Sequence, residues 1–175
     1  MNKNWYAVYT KVNGERKVVN QMLRKKIEHY CPLNNLSNTQ TGLRKKDVLV
    51  PLFQGIVFVY TDVAGLKNIL NLSGVSNILY WLGKPAIIHQ EEIEQLQHFT
   101  GKYTSMQVEK IAVNTKSLPK ITQEQNVKIE GKMVSVTGYS IRLSLPSIGF
   151  SVCAAIDNFI PETFNPIWEK GKILS

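Results

Sequence analysis

Side chains able to do covalent or metal chemistry are few in this chain. The two cysteines, Cys31 and Cys153, stand far apart and match no metal-ligand spacing, and the histidines are His29, His89 and His98. His29 close to Cys31 is the one pairing with the residue types of a nucleophile and its base, and nothing in the sequence supplies a third orienting group or an oxyanion site. Phosphate-cradling, dinucleotide, kinase and zinc patterns do not occur. The chain therefore reads as a binding protein and not as an enzyme, with no cofactor and no metal.

Charge is the stronger signal. Residues 1–61 hold ten Lys and Arg against three acids, a net of +7, whereas residues 62–175 hold eleven against ten, a net of +1. So one-sided a field implies a polyanion partner. Nucleic acid ranks ahead of membrane because no amphipathic anchor with a large apolar face accompanies the charge. With 175 residues, 43% of them apolar and 19% charged, the chain has the composition of a soluble globular protein. It lacks both a run of 18 apolar residues and a signal-type apolar core, so a cytoplasmic location is expected, where a disulfide would be unusual.

Periodicity supplies the elements that must position these groups. Trp5 to Thr10 alternates as a strand. From Gly14 to Tyr30, with Asn13 as its cap, the apolar Val18, Val19, Met22, Leu23, Ile27 and Tyr30 recur at helical spacing. The outer face then carries Lys17, Asn20, Gln21, Arg24, Lys25 and Glu28, which with Lys11 form a ridge suited to phosphate contacts. Cys31-Pro32-Leu33 leaves that helix, residues 34–42 have the composition of a hairpin tip, and Leu43 to Val50 return as a strand. Ile56 to Tyr60 is an apolar, β-branched and aromatic strand entered through a corner set by Pro51 and Gly55. Alternation places Ile56 and Phe58 on one face and Val57 and Val59 on the other. A helix over Ala64–Leu72, a strand over Asn77–Leu82 and a helix over Gln90–Phe99 follow, the last with Glu91 and Glu92 in its first turn.

Gly101 to Thr122 is rich in Lys, Ser, Thr, Gln and Asn and reads as a linker. Val127–Ile129, Met133–Thr137, Ser140–Leu145 and Gly149–Ile156 are short alternating segments of a small β-barrel. The expected fold is α+β: an α/β sandwich over residues 1–103, its sheet antiparallel or mixed, a linker over 104–121, a β-barrel over 122–160 and a tail over 161–175 that carries Phe164 and Trp168.

The ordered set Trp5-Tyr6, Glu15, Val50-Pro51, Phe53-Gln54-Gly55-Ile56-Val57-Phe58-Val59, Gly74-Val75 and Gly83-Lys84-Pro85 resembles the N-terminal domain of the NusG family of transcription elongation factors. Each piece is weak alone; their order is specific. The later segments Gly131-Lys132-Met133-Val134-Ser135-Val136, Ile141-Arg142-Leu143-Ser144-Leu145 and Ile148-Gly149-Phe150-Ser151-Val152 resemble the KOW domain of that family. The family's Gly-Pro-Phe-x-Gly segment between the first two barrel strands has no counterpart, which puts in doubt a ribosome, termination-factor or RNA contact through that loop. Gln54 stands for the family's Pro and Ile56 for its Tyr. Leu66-Lys67-Asn68 falls where the specialised homologue RfaH has His-Thr-Thr. These departures are similar to those of specialised paralogues, among them the UpxY-type antiterminators of polysaccharide loci.

The resemblance implies that the N-terminal domain docks, as a monomer, on the clamp helices of RNA polymerase and favours processive transcription of particular operons. The docking residues would be Tyr9, Phe53, Ile56 and Phe58, which a strand-and-corner reading alone leaves divided between surface and core. It also implies contact with the non-template DNA strand through Lys11, Gln21, Arg24, Lys25 and Ser73, and with the ribosome through the KOW-like domain. A different class of function, a free-standing RNA-binding or ribosome-associated regulator, would require aromatics interleaved with Lys or Arg on a strand, whereas the basic residues here fall on the helix and hairpin.

Overall fold

The computed structural model describes residues 2–37, 47–130 and 133–156. The outer part of the expected hairpin tip with Arg44-Lys45-Lys46, Gly131-Lys132 and the tail over 161–175 lie outside the described residues.

Strand β1 (Asn4–Thr10) leads into helix α1 (Glu15–Arg24) and then β2 (His29–Tyr30). The helix is shorter than its apolar stripe predicts because Lys26 takes φ +56 and closes it. The Lys26 amide donates to the Leu23 carbonyl and the Ile27 amide to the Met22 carbonyl, the paired bonds of a Schellman cap. At the other end the cap is Gly14, one residue after the expected Asn13, and no side chain caps it. A hairpin of β3 (Leu33–Ser37) and β4 (Asp47–Pro51) precedes β5 (Ile56–Thr61). Helix α2 (Val63–Leu70) starts at Asp62, whose carboxylate accepts from the Gly65 amide at 2.7 Å, a side-chain N-cap. Then come β6 (Val75–Ile78), the small hairpin β7 (Tyr80–Trp81) and β8 (Lys84–Pro85), and helix α3 (Gln90–Lys102). The expected strand over 77–82 stops early because Leu82 and Gly83 both adopt positive φ, a reversal that folds the chain into that hairpin.

The first sheet has the order β2-β5-β1-β6 and its pairings are antiparallel, with Tyr6 opposite Val59 and Val8 opposite Val57. It is buried on both faces. On one, Tyr6, Val8, Val57 and Val59 meet Val18 and Met22 of α1 and Leu66 and Ile69 of α2. On the other, Trp5, Ala7, Ile56 and Phe58 meet Ile93, Leu96 and Phe99 of α3 and a second sheet. The alternation expected of residues 56–59 is what divides the two cores.

The second sheet, with order β10-β11-β12-β9, is built from β9 (Gln107–Lys110), β10 (Lys120–Glu130), β11 (Met133–Leu145) and β12 (Phe150–Ile156), all antiparallel. Two expectations differ here. The stretch 104–121, read as a linker, contributes β9 and the first residues of β10. Its polar side chains suit an edge strand that pairs with β12 by backbone bonds, a role composition does not announce. The two segments read as Met133–Thr137 and Ser140–Leu145 run together into one 13-residue strand, with Gly138 at φ +158 and a register shift beside it that skips Thr137 between the pairs Asn126–Gly138 and Val127–Val136.

Candidate functional site

The corner before β5 is fixed from three sides. Gly55 takes φ +76, its carbonyl accepts from the Thr10 amide at 2.8 Å, and its own amide donates to Glu15 Oε1 at 2.5 Å. Glu15 is a buried acid in the first turn of α1, so a carboxylate near the helix N-terminus also holds the turn that aims Phe53. Gln54, at the family's Pro position, is exposed at the bend.

Phe53, Ile56 and Phe58 are all buried; Tyr9 is half-buried, and burial raises its phenol above the ordinary value. The four belong to one apolar cluster. Phe53 sits edge-on to Phe58 with centroids 5.7 Å apart, Phe58 stacks on Tyr30 at 6.3 Å, and on its far side Phe53 meets Phe150 of β12 at 5.5 Å. What covers this face is therefore the C-terminal sheet together with α3. The inward side chains of that sheet are Ile141, Leu143, Leu145, Val152 and Ala154, with Ile148 on the turn between β11 and β12. A hollow of about 470 Å³ remains beside the corner, lined by Phe53, Gln54 and Ile56 on one side and by Val108, Lys110 and Phe150 on the other.

The seam is pinned at three further points that sequence patterns do not reveal. The Asn34 side chain donates to the Met106 carbonyl at 2.8 Å and accepts from its amide at 3.0 Å, in effect a strand partner made from one amide group. His89 Nε2 lies 2.7 Å from the Thr115 carbonyl. Glu92, fully buried on α3, accepts from the Ser147 amide at 2.9 Å. Asn34 and Glu92 look like ordinary polar residues of a hairpin and a helix first turn; only the tertiary structure gives them partners.

The basic ridge lies on the opposite side of the first sheet, with α1. Lys11, Arg24 and Lys25 are exposed there. Gln21 and Ser73 are brought together: Gln21 Nε2 donates to the Ser73 carbonyl at 2.6 Å and Gln21 Oε1 accepts from the Ser73 amide at 3.1 Å. The Lys11 amide donates to the Gly74 carbonyl at 2.8 Å, so the start of the ridge and the turn before β6 are one unit. In this state the Gln21 amide group is engaged with backbone, and Ser73 is left to offer its hydroxyl to solvent.

Cys31 lies against the first core. Burial, reinforced by nearby Glu15, pushes its thiol up to about 11, which keeps it protonated and poorly nucleophilic at neutral pH. Among the described residues, no group of three His, Cys, Asp or Glu could hold a metal ion, and no helix is long and apolar enough to cross a membrane.

Among curated proteins none matches the chain. A solved structure described as domain interaction in Thermotoga maritima NusG is similar at 16% identity, covering 89% of this chain and 94% of that one, with a TM-score of 0.48. The family model described as NusG, transcription termination factor, matches residues 3–97, which hold β1, the corner, the ridge and most of α3. With more than half of its length so matched, the chain belongs to the NusG family of transcription elongation and antitermination factors.

Proposed function

We propose that this chain is a specialised factor of its family, with residues 1–103 and the C-terminal sheet of β9 to β12 as its two working units. Tyr9, Phe53, Ile56 and Phe58 receive the clamp helices of RNA polymerase, and the C-terminal sheet moves aside to allow it. The observation that supports this most is the ownership of the two cores. One face of the first sheet is closed by α1 and α2, which lie beside it in the chain; the other is closed in large part by strands from residue 107 onward. Aromatic side chains gathered in a depression suit a helical tip, since a few such anchors carry most of an interface's energy. On the opposite side of the sheet, Lys11, Arg24 and Lys25 position the non-template DNA strand through its phosphates, with Ser73 and Gln21 placed to read a base edge once the amide leaves its backbone partners. The factor acts in the cytoplasm on particular operons, among which polysaccharide loci are the comparison its departures from the family pattern suggest.

Polymerase pull-down tests the reading with three forms of the full chain, each checked for folding by circular dichroism. Phe150→Asp loosens the covering sheet and is expected to raise capture. Adding Tyr9→Asp, at a half-buried position, is expected to abolish it. Capture of bare RNA with none of polymerase by any folded form would replace this function with the RNA-binding one.

A further inference from the structure

Among the described residues, Glu92 is the one fully buried acid in the contact between α3 and the C-terminal sheet. It is 1% exposed, and the residue facing it, Ser147, is wholly enclosed in the turn between β11 and β12. One carboxyl oxygen accepts from the Ser147 amide, while the other, Oε2, is buried with no partner, as is the Ser147 hydroxyl oxygen. An ionised carboxylate in this setting carries a buried charge with one of its two oxygens left without a partner, a costly state that protonation relieves. The charged groups acting on it are His89, which favours the ionised form, and Glu91, which opposes it, both at the start of the same helix. The facing turn, residues 145–149, holds no ionisable side chain. Helix-dipole attraction and the bond from the Ser147 amide favour the anion, yet burial outweighs them and the carboxyl is held above its ordinary range.

We propose that seating of the C-terminal sheet on α3 takes up one proton at Glu92, so that the contact is a proton-coupled latch. Ser147 is pressed onto Glu92 only while the sheet is seated; when the sheet leaves, water reaches the carboxyl and the proton is released. Since the seated state has the higher pKa, its advantage is fully present below the ordinary carboxylate value of about 4.3. That advantage is lost as pH rises through the raised value. Inside that window each pH unit shifts the seated-to-released ratio by up to about tenfold. That this gates polymerase docking rests on the function proposed above; the proton uptake itself does not.

The experiment therefore contains no polymerase. Carboxyl-carbon NMR of the full chain, with Glu92 assigned by its loss in Glu92→Gln, follows each glutamate from pH 3 to 9. Glu92 is expected to titrate above the exposed Glu91 and Glu94. Thermal unfolding over the same range is expected to show stability falling with pH in the unaltered protein relative to Glu92→Gln, which keeps the shape and has no proton to lose. A Glu92 titration coincident with Glu91 and Glu94, or equal pH slopes for the two proteins, overturns the latch. The NMR titration is read on the unaltered protein and can be assigned by backbone connectivity, so it decides even if Glu92→Gln fails to fold. Polymerase capture failing while Glu92 titrates high would remove the docking reading and leave the latch standing.

Discussion

The two faces of β5 are equally apolar and equally buried, yet they are closed in different ways. Val57 and Val59 are covered by α1 and α2, each a short loop away from a strand it packs on. Ile56 and Phe58 are covered by α3 and by a sheet whose strands begin near residue 107 and whose central strands, β11 and β12, run between Met133 and Ile156. Burial alone does not separate a permanent core from an occupied interface; which segment does the covering is the more telling observation. Contacts between distant segments also cost more loop-closure entropy, so the second face is the one expected to open first.

Substitutions in the two cores put that difference under the heaviest load. Val57→Asp places a charge in the first core with no partner and is expected to cost more than about 4 kcal/mol, erasing the cooperative thermal transition. Phe53→Ala, at the seam, is expected to cost about 3–5 kcal/mol. Its signature matters more than its size: hydrogen exchange should accelerate in β12 while α1 keeps its protection. Equal acceleration in both would mean that the two faces form one cooperative unit, and the distinction would fail.

The native thiols offer a second reading of the same contrast. Cys31 rests on the first core and Cys153 on the outer side of the C-terminal sheet, where Arg142 lies close enough to act on its thiol. Raising a thiol from 9.0 to about 11 lowers its thiolate fraction about 100-fold at pH 8, while the more basic thiolate is roughly tenfold more nucleophilic, so iodoacetamide should modify Cys31 about tenfold more slowly than a free cysteine. Conditions that detach the sheet should leave that rate unchanged, since the core beside Cys31 stays closed. A Cys31 rate that rises together with exchange in β12 would place both cores in a single opening event.

Much of the first sheet was legible because its signals are local. The alternation of residues 56–59, the helical stripe through Val18 and Met22 and the glycine corner each depend on a few neighbouring residues, and the structure bears them out. The helix end at Lys26 was not legible, because a lysine in a left-handed cap carries no sign of it in composition. Nor was β9: Gln107, Glu109 and Lys110 read as linker, and only pairing with β12 makes them a strand. At the candidate site, the family resemblance pointed to Tyr9, Phe53, Ile56 and Phe58, while the residue types left core and surface undivided. Their cover arrives from the far end of the chain, and no window of sequence contains both partners. Asn34 and Glu92 escaped for the same reason.

The outer face of the C-terminal sheet tests whether polar contacts rather than apolar cover hold that region together. Arg142 donates from Nε to Glu124 at 2.9 Å and from one terminal nitrogen to Glu109 and Ser151, linking β11 to β10, β9 and β12. These charge-assisted bonds raise the guanidinium pKa further above its already high value. Both acids are about half exposed, however, so water and salt screen the attraction, and Arg142→Gln is expected to cost no more than about 1 kcal/mol in urea unfolding. The loss should shrink in 0.5 M salt, where the Debye length falls to about 4 Å. If the cost instead approached that of Phe53→Ala, the fork would be a principal fastening of the sheet. Detachment would then depend on ionic strength more than on the apolar seam, and the ranking of the two faces would have to be drawn from charge.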